Sequence, residues 1–392
     1  MNRSLSQAKE LFPYTRDLRR EFHRQPELGF QEFKTSEIIL RELSQLHDFV
    51  IQSGIAKTGI KAVLEGGKSG KTILLRFDMD ALPVKEDTLV DYASTSEGLM
   101  HACGHDGHMA IGLTVARLLH QSKEDLPGKI VIIFQPAEEG LGGAMEMIEA
   151  GALRDPVPEI VLALHLWNEK DLGWLGISDG PVMSASETFH VQIMGKGGHG
   201  GKPHEAIDPI VATAAIINSL QTVISREIHP LDSGVVTVST IHAGEAHNVI
   251  PEQTNFSGTI RSFKPETRDL LLNRFNDVVG NIASAYQCNE SVTLEDISPA
   301  VINDREVAKT IRLAAAEVFP DFLIDRDYKT MASEDMSYFM QDIPGCYCFV
   351  GSANPEKGLV AKHHQPDFNF DEEALTIGSA LLVEAVHKLL DQ

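Results

Sequence analysis

The run His101-Ala-Cys-Gly-His-Asp-Gly-His108 crowds three imidazoles and a thiol into a short segment that leads into a helical pattern. Cys103 and His105, one residue apart, are borderline-soft donors of the kind that hold zinc-like ions. The same run also reads as a helix start with solvated histidines and a small buried thiol, or as a thiolate nucleophile activated by its neighbours. Farther along, Gln135-Pro-Ala-Glu138-Glu139-Gly sets two carboxylates side by side on a turn. Metal-assisted hydrolysis needs that division of labour. One carboxylate holds the ion, and the other moves the proton of a water whose pKa the ion lowers toward ~7. His165 closes the apolar run Ile160-Val-Leu-Ala-Leu, and His363-His364 precede Gln-Pro-Asp-Phe-Asn-Phe. Taken singly, these are a solvated loop, a sheet-end residue and a polar loop. Together they form a sulfur, nitrogen and oxygen donor set that leaves the metal open between zinc-like ions and harder ones such as manganese.

Groups so far apart in sequence need a scaffold that gathers them, and the hydrophobic pattern supplies one. Helical periods over residues 35–46 and 110–119 alternate with short apolar runs at 59–64, 72–77, 129–134 and 160–166, bounded by Gly, Pro, Asp and Lys. The pattern is that of an α/β fold. Asp78 and Asp80 follow the second run, Glu138 and Glu139 the third, and His165 ends the fourth, where open α/β sheets bind their ligands. Beyond Gly180-Pro181 the pattern changes to alternating strands at 187–194, 235–241 and 254–263, with helices between and after them and a short strand near 291–294. This β-α-β-β-α-β order predicts an inserted α+β, ferredoxin-like domain over 182–295. Residues 1–181 and 296–392 then form the two parts of the first domain, with helices at 305–318 and 372–390 and a strand at 346–351.

With 392 residues, the chain exceeds the size at which a single core stops growing, which fits two domains. Hydrophobic residues make up 43% and charged residues 23%, ordinary for a globular protein. Thirty-four basic against 56 acidic side chains give a net charge of −22, which disfavours nucleic acid and anionic membranes as partners. The four cysteines, Cys103, Cys288, Cys346 and Cys348, do not make a disulfide framework. No signal-like segment is present and no stretch approaches ~18 apolar residues, so the expected location is the cytoplasm.

Four motifs occur in the order and spacing of one known family: Arg76-Phe-Asp78-Met-Asp80-Ala-Leu-Pro83, Met100 to Ala110, Phe134-Gln-Pro-Ala-Glu138-Glu139-Gly, and His363-His364-Gln-Pro. The chain resembles the amidohydrolase branch of the aminoacylase and carboxypeptidase metallopeptidases. That branch includes hippurate hydrolases, N-acetyl amino acid deacetylases and auxin-conjugate hydrolases. The similarity runs from His23-Arg-Gln-Pro-Glu27-Leu-Gly to Asp371-Glu-Glu-Ala-Leu.

The resemblance implies a mixed-sheet, metallo-exopeptidase-like catalytic domain with an inserted lid, and two divalent ions (Zn, Mn, Co or Ni) held by Cys103, His105, Glu139, His165 and His364. Cys103 stands where relatives outside the branch use a bridging Asp. Glu138 becomes the general base, and Asp80 orients a metal-bound histidine. His101 and His108 match the motif but not ligand positions, so they read as supporting residues. In the lid, His199 of Gly195-Lys-Gly-Gly-His199-Gly-Gly-Lys-Pro-His204 matches a histidine that reaches the scissile carbonyl, often across a dimer interface. Asn248 and Arg261 match substrate-contacting positions, Arg261 being suited to grip a carboxylate. Gly201 departs from the alanine of many relatives. The expected activity is hydrolysis of N-acyl-L-amino acids by a homodimer joined through the lid. The competing expectations are a dipeptidase or carboxypeptidase, a cysteine hydrolase, and a metal-binding protein without turnover.

Overall fold

The computed structural model describes residues 2–391. The chain forms two compact units, Met1–Val182 with Val301–Lys329 and Asp335–Gln392, and Met183–Ala300 with Thr330–Glu334.

The first unit is built on an eight-stranded mixed sheet. Its strands are β1 (Phe49–Ile55), β2 (Gly59–Glu65), β3 (Lys68–Asp78), β4 (Pro127–Gln135), β5 (Ile160–Asp171), β6 (Trp174–Gly176), β7 (Leu323–Asp325) and β8 (Gly345–Ala353), in the spatial order β1-β2-β4-β3-β5-β8-β6-β7. The centre is parallel: β3 pairs with β4 and with β5, and β5 pairs with β8. Strands buried on both faces need continuous apolar sequence rather than alternation, which is what Thr72-Ile-Leu-Leu-Arg-Phe and Lys129-Ile-Val-Ile-Ile-Phe provide. The helix His105–Gln121 is buried along nearly its whole length and lies directly on β3 and β4. At Gly112 an added Cβ would sit 2.7 Å from the Phe77 ring and 2.9 Å from that of Phe134, so glycine permits the close approach that brings His105 to the strand ends. The helix Glu373–Leu390 closes the same core with Leu375, Leu381 and Val386.

Two boundaries and one strand differ from the sequence pattern for physical reasons. The helix predicted from residue 110 begins at His105, because its first turn is polar by type yet buried. β5 continues past His165 to Asp171, held by its ladder with β8 although the sequence turns polar. Edge strand β1 went unpredicted, since its mixed burial matches neither strand template. Among the described residues no helix is long and apolar enough to cross a membrane.

The second unit has a four-stranded antiparallel sheet in the order Gly234–Ala243, Gln253–Ser262, Ala185–Met194, Asn289–Ser298. With helices Pro209–Thr222 and Pro265–Ala285 it has the ferredoxin-like β-α-β-β-α-β arrangement. The central strand Gln253–Ser262 alternates strictly, sending Phe256 and Ile260 into a core shared with Phe189, Ile216 and Phe275.

Candidate metal centre

The parallel strands of the first unit end where the predicted donors lie. β3 delivers Asp78 and, two residues on, Asp80. β4 leads into the turn carrying Glu138 and Glu139, and β5 carries His165. Gly104, left-handed at φ +89°, turns the chain from Cys103 into the helix that starts at His105. His364 sits in the loop before the last helix with φ +67°, its backbone N–H donating to Ala102 at 2.8 Å.

These elements bring all five predicted ligands together. Donor atoms of Cys103, His105 and His165 lie within 4.8 Å of one another, and so do those of Cys103, Glu139 and His364. Cys103 belongs to both groups. Its Sγ lies 3.5 Å from His165 Nε2, and Glu139 Oε1 lies 3.3 Å from His364 Nε2. Glu138 joins His105 and Glu139 in a third such group, with Oε2 at 4.0 Å from His105 Nε2.

The orientation of the rings suits cations. His105 donates Nδ1–H to the Asp80 carbonyl at 2.9 Å, leaving a buried Nε2 without a hydrogen-bond partner. His165 donates Nδ1–H to the Leu166 carbonyl at 2.7 Å and turns Nε2 to Cys103. Glu139 Oε1 is likewise buried and makes no hydrogen bond. Orphaned acceptors facing a thiol are costly unless an ion pairs them, so the residues present fit a pair of divalent ions. Burial, together with the nearby Glu139, Glu138 and Asp78, pushes the Cys103 thiol well above its ordinary value. That is the reverse of the electropositive setting that activates a nucleophilic cysteine. Burial works against charge on His105, but Asp78, Asp80 and Glu139 raise it to about 10, another sign of an anionic site. Burial and the neighbouring His108 and His363 hold His165 well below its usual value.

Asp80 divides its work. Its backbone carbonyl fixes His105, one carboxylate oxygen lies 3.4 Å from the same ring nitrogen, and the other accepts the N–H of Glu139 at 2.9 Å. His108 is not available to an ion, because both ring nitrogens are engaged. Nδ1–H donates to Asp78 at 2.6 Å, and Nε2 accepts the Leu166 N–H at 3.0 Å. The Leu166 carbonyl also accepts Nε2–H of His363 at 2.9 Å, so the two peptide groups flanking the Leu166 Cα tie together His108, His165 and His363. Behind Asp78, Arg76 bonds its second carboxylate oxygen at 2.5 Å, Gln135 at 2.8 Å and Asp335 at 2.9 Å. The sequence offered no sign of Asp335, which is 259 positions from Arg76. His101 is buried with neither ring nitrogen hydrogen-bonded, and burial lowers it to about 4.

The remaining predicted residues belong to the second unit. His199 lies on a two-residue strand paired with Val249–Ile250 and is exposed. Its Nδ1 accepts the Gly201 N–H at 2.9 Å, which leaves the proton on Nε2. A Cβ at residue 201 would stand 3.3 Å from this ring, which gives Gly201 a local reason. Asn248 accepts the Gly200 N–H through its carbonyl at 2.8 Å. Arg261 donates Nε–H to Thr259 at 3.0 Å, while one terminal nitrogen is buried without a partner. Cys288, Cys346 and Cys348 are buried.

Residues 74–388 match the family described as peptidase family M20/M25/M40. The chain is 38% identical to an N-acetyl-L-cysteine deacetylase of Bacillus subtilis over 95% of its length and 88% of the relative's. It is 36% identical to thermostable carboxypeptidase 2 of Saccharolobus solfataricus, covering 95% and 94% of the two chains. The crystal structure of Bacillus subtilis YXEP, described as a dinuclear metal binding peptidase, superposes with a TM-score of 0.85 at 32% identity, covering 98% and 99% of the two chains. The chain therefore belongs to peptidase family M20/M25/M40 and is a metal-dependent hydrolase of amide bonds.

Proposed function

We propose that this enzyme hydrolyses N-acyl-L-amino acids to a carboxylic acid and a free amino acid. The observation that carries the reading is the pair of donor groups sharing Cys103, with Glu138 beside them. Cys103, His105, Glu139, His165 and His364 would hold two divalent ions (Zn, Mn, Co or Ni). When bound, such ions polarise a carbonyl and lower the pKa of water. Glu138 accepts the proton of the attacking water as the new C–O bond forms, then returns it to the amine nitrogen as the C–N bond breaks. Asp80 keeps the His105 ring and the Glu139 backbone in register. We assign His199, through Nε2–H, to the developing oxyanion, and Arg261, with its partnerless terminal nitrogen, to the substrate carboxylate. Asn248 is assigned to substrate binding. The second unit is proposed as the lid and as the contact of a homodimer working in the cytoplasm.

The deacetylase relative supports an acyl substrate, whereas the carboxypeptidase relative favours a second reading in which a peptide is cleaved. Release assays with acetyl, benzoyl, indole-acetyl and long-chain acyl amino acids beside dipeptides, each with Zn, Mn, Co and Ni, separate the two. Faster cleavage of acyl amino acids is expected. Dipeptides cleaved faster would transfer the activity to the second reading, and no turnover with any metal would leave a metal-binding protein.

A further inference from the structure

The helix Phe33–Leu43 starts with an unusual allocation of carboxylates. Glu32 occupies its N-cap position, yet its side chain makes no capping hydrogen bond. The free helical N–H groups are served by Glu27 instead, whose oxygens accept from Lys34 N at 3.2 Å and Thr35 N at 2.9 Å. Glu32 is fully buried and turned elsewhere. One oxygen accepts the Thr58 hydroxyl at 2.6 Å, and the other accepts the backbone N–H of Ala137 at 2.9 Å. Burial raises its carboxyl above the ordinary range, so this placement is a cost to the folded chain.

Ala137 immediately precedes Glu138, and its φ of +56° is left-handed for a residue with a Cβ. Such a conformation persists only where the surroundings fix it. Here they do so from both sides. Glu32 takes the N–H of Ala137, Asp80 takes that of Glu139, and Gly143 N–H closes on the Ala137 carbonyl at 3.0 Å. The side chain of Glu138 thus leaves a turn whose two neighbouring residues, Ala137 and Glu139, each have their N–H held by a buried carboxylate.

We infer that Glu32 is a positioning residue for Glu138, fixing through the Ala137 N–H the turn from which the base reaches its proton. The inference rests on the reading of Glu138 as the base. Misplacing a reacting group by about 1 Å costs on the order of 100-fold in rate. Glu32→Ala should therefore lower kcat by roughly that factor while KM and the number of bound metal ions stay at wild-type values. Glu32→Gln keeps an acceptor for Ala137 N–H and offers Thr58 a donor, and should restore most of kcat. A role confined to stability would lower the melting temperature without changing kcat per folded, metal-loaded enzyme. Unchanged kcat in Glu32→Ala, or Glu32→Gln as slow as Glu32→Ala, overturns the inference. If Glu32→Ala does not fold, Glu32→Met carries the test, because it fills the buried site while offering the Ala137 N–H no oxygen acceptor. A several-fold loss in kcat at constant KM supports the inference, and no loss overturns it. Glu138→Gln run alongside separates the two claims. Full activity there removes the base itself, whereas an inactive Glu138→Gln beside an unimpaired Glu32→Ala removes only the positioning role.

Discussion

Replacing His108 by Phe keeps an aromatic ring in a buried site but removes two hydrogen bonds that meet at the metal ligands. The Leu166 N–H loses its acceptor, and an unpaired buried donor costs about 1–3 kcal/mol. Asp78 loses a 2.6 Å charge-assisted bond worth about 1.5–3 kcal/mol, although Arg76 still holds its other oxygen. The summed strain, roughly 2.5–6 kcal/mol, is relieved most directly by rotation of the His165–Leu166 peptide, which moves the His165 backbone and, through Leu166, the next carbonyl that fixes the His165 ring. Loss of a group that orients a ligand costs about 10- to 100-fold in metal affinity, or ~1.4–2.7 kcal/mol, so only part of the strain needs to reach the ions. The assay is competition with a chromophoric chelator, with melting of the metal-free protein measured in parallel. His108→Phe should weaken binding of one ion by at least about tenfold. His108→Gln, which can still accept from Leu166, should fall between it and wild type. A metal affinity within about twofold of wild type would refute the relay from Asp78 to His165.

Arg19 is fully buried between Asp106, Tyr92, Asn369 and Glu372, so Arg19→Met breaks a buried ion pair, leaves Asp106 only His23 and the Gly107 N–H, and should cost about 3 kcal/mol, seen as a melting temperature lower by roughly 5–10 °C. At Gly143 an added Cβ would stand 1.7 Å from the Pro136 carbonyl oxygen, so Gly143→Ala must displace the turn before Glu138 and should lower kcat/KM by about 100-fold or more in steady-state assays. Burial works against charge on Asp371, but Lys357, Asn354 and the Glu373 N–H hold its carboxyl below the usual range. A depressed carboxylate stabilises the fold above its unfolded pKa and loses that contribution as pH falls. Asp371→Asn should therefore melt below wild type at pH 7, and the two curves should converge under about pH 4.

The donors were legible because Cys103, His105, Glu138 and Glu139 stand in short motifs and because each follows a strand or opens a helix. Helix Arg305–Val318 was equally plain from its periodicity, with a strongly one-sided apolar face and an Asp304 cap. What the sequence left hidden is the tertiary support. Glu32 meets Ala137 across 105 positions, Arg76 meets Asp335 across 259, and His108 meets the Leu166 backbone across 58. No local period encodes such pairs. Asp80 is instructive in the same way. The resemblance implied a carboxylate that orients a histidine; the backbone carbonyl of Asp80 bonds the His105 ring, with one carboxylate oxygen 3.4 Å from the same nitrogen and the other holding the Glu139 N–H.

The central claim is that Glu138 carries the proton in a site whose ions are held by other residues. Glu138→Gln tests it directly, with metal content and turnover of N-acetyl and N-benzoyl amino acids measured on one preparation. The account predicts two divalent ions per chain, as in the wild type, and turnover lower by on the order of 100-fold or more. Turnover at the wild-type rate with both ions present would contradict it.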